Sequence, residues 1–395
     1  MRSAIGIDAI GISVPRAYLE LGELAAARGV PPEKYIQGLG VSRMAIASPD
    51  EDPVTLAVEA ARRLFAGAGR APDDVGYCAV GTETAVDHSK PVASYVHGLL
   101  GLPQRCRVFE TKHACYGATV ALLGAAEWIA AGSARGRSAL VIATDIARYE
   151  LGSPGEPTQG AGAVAMLVSE RPRLLELEVG QSGSYARHVH DFWRPLHRKD
   201  ALVDGQFSVS CYLEALDGAY ADWKERAGGP LERTCYHVPY GKMAYKAHRR
   251  RLAADGIGEA EADARFAVEV APSLAFSAQV GNVYTGSLYL ALTSLLSGAG
   301  RPGAGARVGF FSYGSGCGAE FFAGRIAEGA AELCDRLDLG APLEGRARLS
   351  MPEYEAIRGG DASPDRLAGA GAPGRLAYLG VDGRERRVYS ADALR

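Results

Sequence analysis

The chain has 395 residues, 47% hydrophobic and 23% charged, with a formal net charge of -3. That is enough apolar material for a large core, and it leaves no global field that would draw in nucleic acid or a membrane surface. The seven cysteines (Cys78, Cys106, Cys115, Cys211, Cys235, Cys317 and Cys334) are odd in number and form no C-x-x-C pair. They argue against a disulfide framework or a zinc site and for a reducing cytoplasm.

The opening M-R-S-A-I-G-I-D-A-I-G-I-S-V-P lacks a long apolar h-region and reads as a first strand, not a signal peptide. No apolar run reaches the length of a bilayer span. Residues 75–87, V-G-Y-C-A-V-G-T-E-T-A-V-D, are an apolar strand running into a polar turn, followed by the helix-like P-V-A-S-Y-V-H-G-L-L-G-L. R-V-F-E-T-K-H-A-C-Y-G-A-T then leads into the helix V-A-L-L-G-A-A-E-W-I-A-A-G, the strand S-A-L-V-I-A-T-D-I-A and a further strand over 160–170. Continuous apolar strands alternating with helices predict a sheet covered on both faces.

The second half repeats this order. R-T-C-Y-H-V-P-Y-G-K-M-A-Y-K (233–246) is strand, turn and basic helix, 279–300 is a further helix, and 307–326 is a strand pair. G-N-V-Y-T-G-S-L-Y-L-A aligns without gaps on H-A-C-Y-G-A-T-V-A-L-L, which sets Asn282 against Ala114. A duplication spaced by about 160 residues predicts two α/β halves, 1–170 and 171–395, whose equivalent turns converge on one site. The stretch 171–232, with the aromatic and charged 191–205, reads as an insertion over that site. The tail after 327 reads as an extension, with a loop over 359–374 and a strand–turn–strand over 375–389.

Cys115 stands among small residues where a strand gives way to a helix. Unpaired N–H groups and the positive end of a helix dipole would lower its pKa and favour an acylated thiolate nucleophile. The alternative is a packed, inert cysteine. Glu83, at the tip of a buried strand in the same half, suits a general acid/base or is a solvated turn residue. His237 occupies the matching turn of the second half; the alternative is a satisfied core histidine. Asn282 would orient His237 or a substrate carbonyl, or cap a turn. Ser315 lies in a glycine turn able to line a carbonyl or anion site. Lys242, Lys246, His248, Arg249, Arg250 and Arg251 form a basic helical stretch beside His237, either a solvated face or a phosphate receiver.

Seven segments, G-T-E-T, K-H-A-C-Y-G-A-T, G-E-P-T-Q-G-A-G-A-V-A-M, D-F-W-R-P, Y-H-V-P-Y-G-K-M, G-N-V-Y-T-G-S-L-Y and F-S-Y-G-S-G, together resemble the 3-hydroxy-3-methylglutaryl-CoA synthases of the thiolase superfamily, in order from the N-terminus to R-R-V-Y. The resemblance implies an α/β thiolase fold of five layers, αβαβα. It implies that Cys115 takes an acetyl group from a thioester, and that Glu83 removes a methyl proton from acetyl-cysteine. The carbanion equivalent adds to the β-ketone of a second thioester, and water releases the product. It implies that His237 holds the acceptor and that the backbone N–H of Cys115 and one near Ser315 form an oxyanion hole. Asn282 and Ser315 would touch the acceptor, and Tyr149, Phe192 and Tyr313 would wall the acyl cavity. Lys242, Lys246, Arg249 and Arg250 would meet the phosphopantetheine arm or its carrier. No cofactor is expected beyond the acyl-phosphopantetheine or acyl-CoA substrates.

Within the family, His113 stands before Ala-Cys where mevalonate-pathway enzymes usually carry an acidic residue, and L-H-R-K-D-A-L-V-D-G also departs from that branch. T-E-T-A-V-D-H-S-K-P looks more like the β-branching synthases of polyketide clusters, which use acyl carrier proteins. A basic mouth of Arg194, Arg198, Lys199 and Arg249 to Arg251 would suit an acidic carrier. The leading expectation is therefore carrier-bound donor and acceptor; the alternative is a mevalonate-pathway synthase using acetyl-CoA and acetoacetyl-CoA. The resemblance also implies a homodimer. A non-catalytic thiolase-like partner is the reading from another class, against which Glu83, Cys115 and His237 all being present argues.

Overall fold

The computed structural model describes residues 4–361 and 374–390. Ten strands carry the architecture: β1 (Ile5–Ser13), β2 (Val75–Gly81), β3 (Arg107–Thr111), β4 (Ser138–Ile146), β5 (Ala161–Glu170), β6 (Leu175–Leu177), β7 (Gly183–Ala186), β8 (Arg233–Tyr236), β9 (Arg307–Gly314) and β10 (Gly318–Ile326). Their order across the sheet is β8-β9-β10-β6-β1-β5-β4-β2-β3, with β7 on β10. Within each half the strands that lead to the site are parallel, β2 with β3 and β4, and β8 with β9.

Period-two alternation builds the layers. Tyr77 and Ala79 of β2, Ala139 and Val141 of β4, and Val164 and Met166 of β5 enter one core. Their neighbours Cys78, Val80, Leu140, Ile142, Ala163 and Ala165 enter another, against the helix α1 (Pro53–Ala68). Both faces are apolar, so both must be covered. α1 starts cleanly because Asp52 and Thr55 form a reciprocal capping box ahead of Pro53. The central layer holds α2 (Gly117–Ala130) and the corresponding helix of the second half, here α5 (Ser287–Ser297). They meet through Thr119 Oγ1, 2.7 Å from the Tyr289 hydroxyl and 2.8 Å from Ser312 Oγ. Outside the second half lie α3 (Gly205–Arg226) and α4 (Gly241–Ala254), with Trp223 of α3 4.9 Å from the Phe321 ring.

Two expectations change here. Most of 171–232 is framework, since it supplies β6, β7 and α3; the part lying over the site is the hairpin of Phe192–Trp193 and Leu202–Val203. The expected loop over 359–374 falls largely outside the described residues, while the strand–turn–strand beyond it is present as Tyr378–Val381 and Arg387–Tyr389. Among the described residues no helix is long and apolar enough to cross a membrane.

Candidate active site

The tips of β2, β3 and β4 bring three acidic or nucleophilic groups together. Gly81 ends β2 without a side chain because a Cβ there would lie 2.4 Å from the Ala118 backbone; the strand can thus reach the start of α2. Cys115 stands two residues before that helix, after Ala114 at φ 40°. Its thiol donates to Glu83 Oε1 at 3.3 Å.

Behind Glu83 lies Asp145, fully buried at the end of β4. Its Oδ1 accepts from Thr82 Oγ1, the Glu83 N–H, and the N–H and Oγ1 of Thr84, all at 2.8–2.9 Å. Its Oδ2 accepts from the N–H and Oγ1 of Thr285, in the second half, at 3.0 and 2.5 Å. The turn that aims Glu83 is therefore tied to both halves. Arg194 closes it from the overlying hairpin by donating to the Glu83 carbonyl.

Burial, then the Asp145 charge, push the Glu83 carboxyl up to about 8, against the opposing pull of Arg194 and the Cys115 thiol. Burial and the carboxylates of Glu83, Asp145 and Asp191 push the Cys115 thiol well above its usual range. This reverses the expected depressed pKa. Cys115 lies ahead of the helix proper, and the carboxylates around it favour the protonated thiol. The resting pair is a neutral thiol beside a carboxyl that titrates near the working pH.

Tyr149, Phe192 and Tyr284 cluster beside Cys115, their rings 5.7–6.5 Å apart and edge-on, with Cys115 packed against them. Tyr313, expected in this wall, belongs instead to the main core cluster. The Tyr313 and Ser315 hydroxyls both donate to Asp191 Oδ2 at 2.7 Å, and the Gly316 N–H donates to Oδ1 at 3.1 Å. Asp191 is fully buried and also accepts from Ser208 Oγ. It organises this side of the site as Asp145 organises the other.

His237 follows β8, its N–H donating to the Phe311 carbonyl and its own carbonyl accepting from the Tyr212 hydroxyl, 2.8 and 2.9 Å. Tyr212 also packs on Tyr313, which links this turn to Asp191. The ring is buried, its Nδ1 has no hydrogen-bond partner among the described residues, and burial holds it down at about 3, so the imidazole is neutral. No hydrogen bond joins it to Cys115 or Glu83 among the described residues.

Asn282 does not orient His237. Its Oδ1 accepts from the Tyr284 N–H and Ser287 Oγ at 2.9 and 2.8 Å, which caps a short 3₁₀ turn ahead of α5. That turn also corrects the gapless alignment. Tyr284, at φ 43° and three residues before α5, is the counterpart of Ala114, and Thr285 is the counterpart of Cys115.

The basic stretch divides. Lys242 is exposed and Lys246 half-buried, and neither forms an ion pair among the described residues. Arg249 pairs with Glu259 and Asp263, and Arg250 with Asp217. Arg251 is buried against Glu269, and His248 is buried as well. Arg249, Arg250 and Arg251 are thus neutralised and do not form the expected basic mouth; i,i+1 arginines on a helix point in different directions, and here each meets its own acid. Arg198 and Lys199 remain exposed on the hairpin.

A thiol–carboxyl pair at the N-terminal side of a central helix, between two similar halves, defines an acyl-transferring enzyme of the thiolase-like fold. The family models described as hydroxymethylglutaryl-coenzyme A synthase N terminal and C terminal match residues 1–172, and 175–268 with 259–359. A hydroxymethylglutaryl-CoA synthase of Enterococcus faecalis is 40% identical over 89% of this chain and 91% of its own length. The polyketide biosynthesis 3-hydroxy-3-methylglutaryl-ACP synthase PksG of Bacillus subtilis is 34% identical over 89% and 87%. A solved structure of MvaS in complex with 3-hydroxy-3-methylglutaryl coenzyme A overlays with a TM-score of 0.93 at 45% identity, covering 99% of both chains. The chain belongs to the hydroxymethylglutaryl-CoA synthase family, whose members join carbon to carbon through acyl transfer.

Proposed function

We propose that the chain condenses acetyl-CoA with acetoacetyl-CoA to give 3-hydroxy-3-methylglutaryl-CoA and free CoA. The observation that carries the chemistry is the Cys115 thiol donating to a Glu83 carboxyl that titrates near 8. Glu83, as carboxylate, accepts the thiol proton while sulfur attacks the acetyl-CoA carbonyl. The carbonyl-to-CoA bond breaks, and the CoA thiolate leaves with that proton. Glu83 then takes a proton from the acetyl methyl. The new carbon–carbon bond forms to the ketone of acetoacetyl-CoA, and Glu83 returns the proton to the tertiary alkoxide. Water cleaves the cysteinyl thioester and restores the thiol. His237, neutral, donates one N–H to the acceptor carbonyl. The backbone N–H of Cys115 and one near Ser315 steady each oxyanion; the Gly316 N–H is already taken by Asp191. Lys242 and Lys246 receive the phosphopantetheine arm.

The choice of CoA rests on two supports. Among solved structures the MvaS likeness, at 45% identity, exceeds the 30% to PksG. The basic mouth invoked for an acidic carrier loses Arg249, Arg250 and Arg251 to ion pairs. This reverses the ranking expected from His113 and the 196–205 segment. A carrier-bound donor is the second reading, favoured by exposed Arg198 and Lys199 beside the mouth. Seven free cysteines support a reducing, cytoplasmic setting, and a homodimer accords with the family.

Intact-protein mass spectrometry tests this directly. The protein is incubated separately with acetyl-CoA and acetyl-carrier protein, beside Cys115→Ser. Fast acetylation of Cys115 from acetyl-CoA, discharged by acetoacetyl-CoA, is expected. Acetylation from the carrier alone would overturn the CoA reading, and no label from either would overturn acetyl transfer.

A further inference from the structure

A second cavity lies at the far end of the first-half sheet. Because β2, β3 and β4 are parallel, their starts face away from Cys115; the seven residues of β2 put the two ends roughly 20 Å apart. Gly76 near the start of β2, Arg107 at the start of β3 and Arg137 just before β4 line a space of about 550 Å³, joined by Arg105, Arg135 and Trp128. That size is in the range of small-molecule sites.

Four guanidinium groups share this space, and none has a carboxylate within ion-pairing distance among the described residues. Other arginines of this chain, among them Arg28, Arg173 and Arg307, are held by acids. Arg137 is set in place: its Nε donates to the Ala134 carbonyl at 3.4 Å and a terminal nitrogen to the Arg105 carbonyl. Its guanidinium lies flat on β2 where Gly76 has no side chain; a Cβ there would be 2.7 Å from Cζ. Trp128, in the last turn of α2, supplies an aromatic wall backed by Tyr77 at 5.2 Å. The nearby acids are the exposed Glu127 and Asp74, the latter accepting from Ser138 Oγ at 3.0 Å. Four like charges around one space repel until an anion enters it. Guanidinium forks match phosphate oxygens two at a time, so four of them spread around one space suit a ligand with more than one phosphate.

We propose that this cavity binds a diphosphate-bearing ligand, with the phosphates on Arg105, Arg107, Arg135 and Arg137 and any attached ring against Trp128. The site is separate from the acyl pocket.

Isothermal titration of the full chain with inorganic pyrophosphate, ADP and sulfate tests it, beside the double variant Arg107→Gln, Arg135→Gln. Both residues are exposed and form no ion pair among the described residues, so folding and Cys115 acetylation are expected to be unchanged. Saturable one-to-one pyrophosphate binding, weakened at least about tenfold in the variant, is expected. Tighter ADP than pyrophosphate adds a ring on Trp128; equal affinities assign recognition to the diphosphate alone. Three results overturn the proposal: no saturable binding, affinity unchanged in the variant, or sulfate as tight as pyrophosphate.

Discussion

The turn that carries Glu83 and the turn that carries His237 stand at matching strand tips, and they are held in different ways. Asp145 takes six hydrogen bonds, four from Thr82–Thr84 and two from Thr285, and so fixes Glu83 by side-chain chemistry. His237 is fixed through its own backbone, and its Nδ1 is unpartnered among the described residues. The carboxyl on the first turn titrates near 8, while the imidazole on the second is neutral down to about 3. Under the proposed function the difference is a division of labour: one half moves protons, and the other presents an uncharged donor to the acceptor.

Glu83→Gln breaks the first turn's role most directly. It keeps the shape and removes the base, so condensation should fall roughly 10³-fold. Deuterium exchange into the methyl of acetylated Cys115 should vanish with it. Asp145→Asn is expected to lower kcat about 10²-fold by loosening the turn. It should also move the acid limb of the rate profile to lower pH, because the Asp145 charge raises Glu83 and the carboxylate form is the base. An unmoved limb would mean that Asp145 acts on position alone. His237→Ala should raise the acceptor KM about tenfold, the loss of one hydrogen bond to substrate, with kcat nearly kept.

The two turns also respond oppositely to pH in stability. His237 and His248 are both held near 3, below the unfolded value of about 6.5. The unfolded chain binds their protons first, so stability is complete above about 6.5 and is lost as pH falls toward 3, by up to about 1.4 kcal/mol per pH unit for each. Glu83, raised from 4.5 to about 8, acts in the other sense and costs stability as pH climbs through that window. Thermal melts from pH 4 to 9 check both slopes. The smallest effect is expected of Arg250→Gln. Its exposed pair with Asp217 contributes less than about 1 kcal/mol, and CoA-dependent acetylation should be unaltered.

Much of this was legible in sequence because the signals are periodic or local. Strand tips located Glu83, Cys115 and His237, and alternating apolar runs gave a sheet covered twice. Asp145 and Asp191 escaped notice although each carried a sign: Asp145 is the lone charge in the apolar S-A-L-V-I-A-T-D-I-A, and Asp191 opens D-F-W-R-P. Their importance comes from donors distant in the chain, Thr285 and Tyr313, which sequence spacing cannot bring together. The Asn282 alignment slipped because a 3₁₀ turn before α5 adds residues that a gapless match absorbs. The arginines of α4 looked like a mouth because helix spacing conceals acids on α3 and on the helix Glu259–Glu269.

The short strand β6 pairs on one side with β1 and on the other with β10. Three residues thereby sew the two halves into a single hydrogen-bonded surface. Parted at that seam, each half would present an open strand edge, a template for aggregation. The halves have the outlines of separate domains, but joined through β6 they are expected to melt as one cooperative unit, in a single thermal transition.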